Sequence, residues 1–279
     1  MVMKKHKRIA ASAATYILLI IALVWTIFPV YWMIKSSITV NSEMYVARPS
    51  LIAKHYTFEN YVDLFTKTEF PRALLNSLMI AFLTTVCCLL ISILGSYAMT
   101  RLKYPGRRFF KTSIIFSYLI PTAVLFVPMY VFVSKLGFYD NKWALLIIYP
   151  TTVVPYCCYM LMSYFKAIPY ALEEAALIDG CTRMKSLRYI ITPIALPGIA
   201  VVATFAFTMS WNEYLYAMIM TTSPAQQTAV VAISSFKYAD SAIWGRFMAA
   251  SVLTSLPVTI IYIVAQAQLI SGKSDGSVK

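Results

Sequence analysis

Residues 73–100 read ALLNSLMIAFLTTVCCLLISILGSYAMT, a stretch without one Asp, Glu, Lys or Arg. A run of about 18 or more apolar residues is long enough to cross the hydrocarbon layer of a bilayer as a helix. Five further charge-free windows exceed that length: Ile9–Ile34, Thr112–Ser134, Trp143–Phe165, Tyr189–Asn212 and Phe247–Gly272. Glu213 interrupts the fifth, but the apolar run resumes to Phe236 and moves that span to 194–220. The fold class read from these windows is an all-α integral membrane protein with six transmembrane helices. They fall near 9–34, 73–100, 112–134, 143–165, 194–220 and 247–270, in a single transmembrane domain covering 1–279. The spans of a β-barrel would be short and alternating, and nothing in the chain has that pattern.

Composition agrees. Hydrophobic residues make up 60% of the chain and charged residues 13%, where soluble domains are about one quarter charged. The net charge of +13 raises the question of nucleic acid, but the placement of the bases points to the membrane. With six spans, both termini share one side. That side collects Lys4, Lys5, Lys7 and Arg8, the group from Arg101 to Lys111, the group from Lys166 to Arg188, and Lys273 and Lys279. These are 15 of the 24 basic residues. The positive-inside rule then puts both termini in the cytoplasm. The basic start followed by a long apolar run reads as an uncleaved anchor.

Metal and redox chemistry find no constellation. Cys87–Cys88 and Cys157–Cys158 are adjacent pairs inside spans, Cys181 stands apart, and none has C-x-x-C spacing. His6 and His55 have no second ligand nearby, so no metal and no cofactor is expected. The stretch AQLISGKS (267–274) is one residue short of a phosphate loop, with Ala267 where the first Gly belongs. It also lacks the strand before and the helix after that such a loop requires. The stretch is therefore not read as a nucleotide site.

In the long segment 35–72, YTFENYVDLF (56–65) spaces Phe58, Tyr61, Val62 and Phe65 at helical intervals, with Glu59, Asn60 and Asp63 facing away. A short amphipathic helix on the outer interface, or a docking surface for an external partner, fits that pattern. Pro121 and Pro128 in the third span, and Pro150 and Pro155 in the fourth, free backbone carbonyls that neighbouring helices or a water-lined path must satisfy.

The most polar interruption is IPYALEEAALIDGCTRMKSLRYIITPIALPG (168–198), which the charge pattern places in a cytoplasmic loop between spans 4 and 5. Pro169 suits the start of a helix, and Glu173 and Glu174 suit its early turns, where the helix dipole favours negative charge. Ala175 and Ala176 leave a bare face for close approach. Gly180 ends the helix with a backbone free to take positive φ. Thr182 caps a second short helix whose Met184, Leu187 and Ile191 share a face, and Pro193 opens the next span.

With E-A-A, three residues, Gly, nine residues, Ile, one residue and then a position usually Leu followed by Pro, the loop resembles the cytoplasmic signature of ABC importer permeases. The matching residues are Glu174, Ala175, Ala176, Gly180, Ile190 and Pro193; the chain departs at Thr192, where the family usually has Leu, and at Cys181. The longer phrase IPYALEEAALIDG resembles the carbohydrate importers of the maltose type. FPVYWMIKSS (28–37), YTFENYVDLF, YAMTRLKYPGRR (97–108), WNEYLYAM (211–218) and the tail DGSVK (275–279) also resemble segments of these permeases, in order.

The resemblance implies a non-catalytic permease subunit of a sugar importer in the plasma membrane of a prokaryote, working by alternating access. It implies two copies of an ATPase subunit in the assembly, one of them docking on Glu174, Ala175, Ala176, Asp179, Gly180 and Pro193. It also implies a second homologous permease, an external solute-binding protein, a carbohydrate substrate and surrounding lipid, with no nucleic acid. For Trp211, Asn212, Glu213 and Tyr214 two readings stand. They line the translocation path, or Glu213 holds neighbouring helices together by hydrogen bonds. The alternative function is an ion-coupled secondary transporter using Glu213 as its proton site, although paired repeats of spans are missing. A membrane-embedded enzyme is disfavoured, since no catalytic motif is found.

Overall fold

The computed structural model describes residues 2–236 and 244–274. The tail DGSVK and residues 237–243 lie outside the described residues, as do the side chains of Lys4, Lys5, Lys7, Arg8 and Lys273. The helices are α1 (Val2–Ser37), α2 (Asn41–Met44), α3 (Glu59–Thr66), α4 (Phe70–Arg101), α5 (Arg107–Leu119), α6 (Thr122–Lys135) and α7 (Ala144–Ala167). There follow α8 (Tyr170–Ile178), α9 (Arg183–Ser186), a π-helical turn (Leu187–Ile191), α10 (Thr192–Ile194), α11 (Leu196–Asn212), α12 (Leu215–Met220), α13 (Ala229–Ser235) and α14 (Trp244–Ser274). Among the described residues there is no strand, only one isolated antiparallel bridge between Thr39 and Tyr56.

Among the described residues four helices are long and apolar enough to cross a membrane: Ala14–Ser37, Phe70–Arg101, Ala144–Ala167 and Trp244–Gln266. Two further apolar stretches are bent pairs. The window read as one span at 112–134 turns by 99° between α5 and α6. Pro121 disfavours a helical conformation at the residue before it, and Ile120 is extended at φ −72°, ψ 122°. The other bend, of 82°, separates Arg183–Ile194 from α11. The long apolar helix of that pair, α11, starts at Leu196, and Pro193 lies before the bend. The window 194–220 is also broken near its end, since Glu213 and Tyr214 leave the helix before α12.

The chain forms two compact units, one of residues 1–68 with 235–253 and one of 69–234 with 254–279. In the first, every residue of α1 from Ala14 to Tyr31 is exposed, as suits a helix whose solvent is lipid. Asn60 is only 4% exposed and donates to Ser37 O at 3.0 Å and Thr39 O at 3.1 Å. The sequence pattern turned Asn60 outward with Glu59; two otherwise unpaired carbonyls turn it inward. Phe58, Val62 and Phe65 are exposed, so α3 presents its apolar face outward and buries Asn60 and Leu64. Gly245 lies against the Asn60 side chain with no room for a Cβ.

In the second unit, α4 buries Ala73, Ser77, Ala81, Thr84, Cys88, Ser92 and Ser96. Small residues at three- and four-residue spacing let helices approach closely in a membrane. Ser96 Oγ reaches Cys158 O of α7 at 3.0 Å, and the Tyr164 ring sits over Gly198 of α11. The main core joins Cys88 and Tyr97 of α4 to Cys157, Leu161 and Phe165 of α7, and to Leu187, Ile191, Ala195, Ile199 and Val202. Leu187, Ile191 and Ala195 recur every fourth residue, a spacing that drifts by about 40° per step around a 3.6-residue helix. The wide π turn, bonding i to i+5, offsets that drift and keeps them on one side.

The opposite end of α4 is polar. Asn76 Nδ2 donates to Ala225 O at 3.1 Å and Gln227 O at 3.0 Å, and Lys142 Nζ donates to Asn76 Oδ1 at 2.7 Å. Ser77 Oγ accepts from Ala229 N at 2.8 Å. Asp140 accepts from both the hydroxyl and the N–H of Ser223, and these bonds, the hydroxyl first, hold its carboxyl below the ordinary value.

Candidate functional site

The loop between α7 and α11 folds into a rigid knob. Pro169, at φ −58° and ψ 136°, stands just before α8 as its N-cap. At the far end Cys181 N donates to Ala176 O at 2.9 Å and Gly180 N to Leu177 O at 3.1 Å, the paired bonds of a Schellman cap. Gly180 takes φ +81° to make that turn. Thr182 Oγ1 then accepts from Lys185 N at 3.3 Å and caps α9. Leu187 and Ile191 are buried, but Met184 is exposed, because α9 projects beyond the core.

The two faces of α8 divide the sequence signature. Glu174, Ala175, Asp179 and Gly180 are exposed, as is Pro193 in the second half of the knob, whereas Ala176 is buried. The alanine pair therefore does not form one bare face: Ala175 looks outward and Ala176 packs inward. Ile178, exposed at the end of the helix, adds apolar surface to the outward side.

Inward, Glu173 enters a buried polar network. Its side chain is 6% exposed and that of Arg101, at the end of α4, 1%, with Arg101 Nε 3.7 Å from Glu173 Oε2. Tyr97 donates its hydroxyl to Glu173 Oε1. Arg101 Nη2 donates to Phe165 O and Ile168 O, both at 2.7 Å, taking up carbonyls left open at the end of α7. The guanidinium lies over the Tyr170 ring at 4.2 Å, and Tyr170 OH donates to Thr100 O at 2.7 Å. Arg107 closes the same end of α4 through Met99 O at 2.8 Å and Thr100 O at 3.0 Å. Removing one partner of a buried ion pair destabilises by about 3–5 kcal/mol, so this network ties α8 firmly to the end of α4. Beside it opens a cleft of about 960 Å³ whose lining includes Lys103, Arg107, Glu174 and Arg183.

The second candidate cluster is less unified. Trp211 is 2% exposed, stacks on Phe207 and donates Nε1 to Thr254 O at 3.1 Å. Asn212 and Tyr214 are exposed. Glu213 Oε1 accepts from Tyr216 N at 3.0 Å and Oε2 from Ala217 N at 3.1 Å. Its carboxylate thus caps the start of α12, satisfying N–H groups that the helix break leaves open. Among the described residues no group of three metal-binding side chains occurs.

Neither site is a catalytic constellation: one is a braced helix offering an outer face, the other a break in an apolar helix. Comparison with known proteins agrees. Residues 89–272 match the family described as "Binding-protein-dependent transport system inner membrane component". The chain belongs to this family. It is 35% identical over 279 residues to the inner membrane ABC transporter permease protein YcjP of Escherichia coli (strain K12), covering 99% of this chain and 100% of that one. It is 33% identical over 276 residues to the trehalose/maltose transport system permease protein MalG of Thermococcus litoralis, covering 98% and 97%. It is 31% identical over 273 residues to the trehalose transport system permease protein SugB of Mycobacterium tuberculosis, covering 96% and 99%. A chain from the crystal structure of a bacterial ABC transporter that imports the acidic polysaccharide alginate shares the fold, at TM-score 0.82 and 22% identity, over 92% of this chain and 95% of that one.

As a permease of this family, the chain is a non-catalytic, multi-pass component of the plasma membrane. The permease signature in the sequence drew attention to Glu174. It missed Glu173, the glutamate that the fold buries, together with Tyr97, Arg101 and Tyr170. Arg101 counted in the sequence only as an orienting charge; its position next to a helix end was the available signal.

Proposed function

We propose that this permease is the subunit of an ATP-driven importer for a carbohydrate, with residues 1–279 acting as one transmembrane domain of six spans and both termini cytoplasmic. The single observation that carries the sugar assignment is full-length similarity to permeases named for trehalose and trehalose/maltose transport. In this reading the outer face of α8, with Glu174, Ala175 and Asp179, docks into a groove on an ATPase subunit. Gly180 sets the end of that face, and Pro193 stiffens the second half of the knob. Two ATPase copies, a second permease related to this one and an external solute-binding protein complete the assembly. ATP-driven closure of the ATPase pair displaces α8 and switches the spans between outward- and inward-open states. Trp211 acts as packing, while Asn212 and Tyr214 at the helix break offer polar and aromatic groups to a passing sugar.

The test is uptake of radiolabelled trehalose and maltose by cells with and without the gene. Entry should require ATP and survive collapse of the proton gradient. Entry that follows the proton gradient instead would favour the ion-coupled alternative.

A further inference from the structure

The knob is joined covalently to α7 and α11 only. Its first helix is nevertheless gripped by α4. Tyr97 and Arg101 meet Glu173, Tyr170 returns a bond to Thr100, and Arg101 also ties the end of α7. Apolar packing would suffice to seat a passive loop, and burying two charges is a costly way to do it. What such a pair supplies is direction, because its atoms must keep their partners as the helices move. Arg101 Nε and Glu173 Oε2 have no hydrogen-bond partner at their separation of 3.7 Å, so a small shift of α8 towards α4 would be stabilised by closing that bond.

The other end of the same helix holds a second junction. From Arg101 back to Asn76, α4 is unbroken and spans about 38 Å at 1.5 Å per residue. There Asn76 and Ser77 bind the segment that follows α12 through Ala225, Gln227 and Ala229. We propose that α4 is a lever of the transport cycle: Tyr97, Arg101 and Glu173 clamp the docking helix to it, and its far end moves the 222–229 segment held by Asn76 and Ser77. The proposal rests on the reading of α8 as the ATPase-docking helix.

The experiment uses the whole transporter, isolated through a tag on this chain, with hydrogen exchange followed at α8 and at 222–229 with and without MgATP. In the wild type, ATP should change exchange at both places. Tyr97→Phe removes one hydroxyl. The double variant Arg101→Met with Glu173→Met replaces the charged pair by apolar side chains but also frees Phe165 O and Ile168 O, so its complex yield and melting are matched to those of Tyr97→Phe before exchange is compared. Both should retain the ATPase subunit and the ATP response of α8, while the response at 222–229 falls by at least about fivefold, the lower end of typical coupling between sites. A wild-type response at 222–229 in both variants would overturn the lever, as would a wild-type protein whose 222–229 segment ignores ATP. Glu174→Lys, on the outer face of α8, separates the two ideas. Loss of the ATPase subunit in that variant upholds the docking reading whatever happens to the lever, and full retention sinks the docking reading itself.

Discussion

Replacement of Gly180 isolates backbone conformation from side-chain bulk. Its φ is +81°, and a Cβ built there meets nothing within 4 Å. A larger residue therefore has space but not a comfortable backbone. An L-residue in the left-handed region costs roughly 1–2 kcal/mol, with Asn better tolerated than Ala and β-branched residues worst. Each 1.4 kcal/mol is about a tenfold change in an equilibrium. The population holding the Schellman turn should then fall little in Gly180→Asn, roughly five- to thirtyfold relative to wild type in Gly180→Ala, and further in Gly180→Val. The turn aims Ala175 and Asp179 outward, so loss of docking should follow the same order. The assay is recovery of ATPase with the tagged permease, alongside solute uptake, at matched membrane levels. Asn is larger than Ala, which makes the comparison decisive. If Gly180→Asn impairs docking more than Gly180→Ala, volume governs the site and the conformational argument is wrong.

Three further outcomes are expected. Glu213→Ala should lower the melting temperature of the solubilised complex, since losing a side chain that satisfies the first N–H groups of a helix costs about 0.5–2 kcal/mol, whereas Glu213→Gln should lose less and keep uptake; unchanged melting in Glu213→Ala would discard the capping role. Asp140 titrates lower in the fold than in the unfolded chain, so its bonds to Ser223 stabilise above the unfolded value of about 3.9 and are lost only as pH falls through the folded one. Melting scans from pH 7 to pH 3 should show an acid-side loss that Asp140→Asn lacks, and no difference in slope between pH 5 and pH 8. Gly198→Ala should cost about 1–3 kcal/mol by overpacking against Tyr164, with partial recovery when combined with Tyr164→Ala; an unaffected complex yield would mean that α7 and α11 yield more readily than their packing implies.

The long helices were legible because absence of charge is a one-dimensional signal. The window 73–100 lies within Phe70–Arg101, and 143–165 almost coincides with Ala144–Ala167. Direction was not legible. Pro121 signals freed backbone groups but not the 99° turn, which depends on what the two halves pack against. Glu213 was visible as an anomaly in an apolar run, yet its partners are backbone N–H groups of Tyr216 and Ala217, which carry no side-chain signature. Glu173 and Glu174 are the same residue type at adjacent positions, so they point about 100° apart on a helix. Only the location of Arg101, far away in the chain, decides which of them is buried.

The wide turn at Leu187–Ile191 also sets a rotational phase. It lies between the outward-facing first residues of the second knob helix and the membrane helix α11, and it holds one residue more per turn than its surroundings. Deleting one residue there would trim it to an ordinary turn and leave the flanking helices nearly in phase, since the wide turn and the ordinary turn each close about one circle. Keeping the extra residue but forcing it into α geometry would instead swing everything before it by about 100° relative to everything after it. The wide turn thus absorbs a residue that would otherwise rotate the knob against α11. Surface substitutions can change what the knob binds, while a change in 187–191 that the turn cannot absorb changes which way it faces.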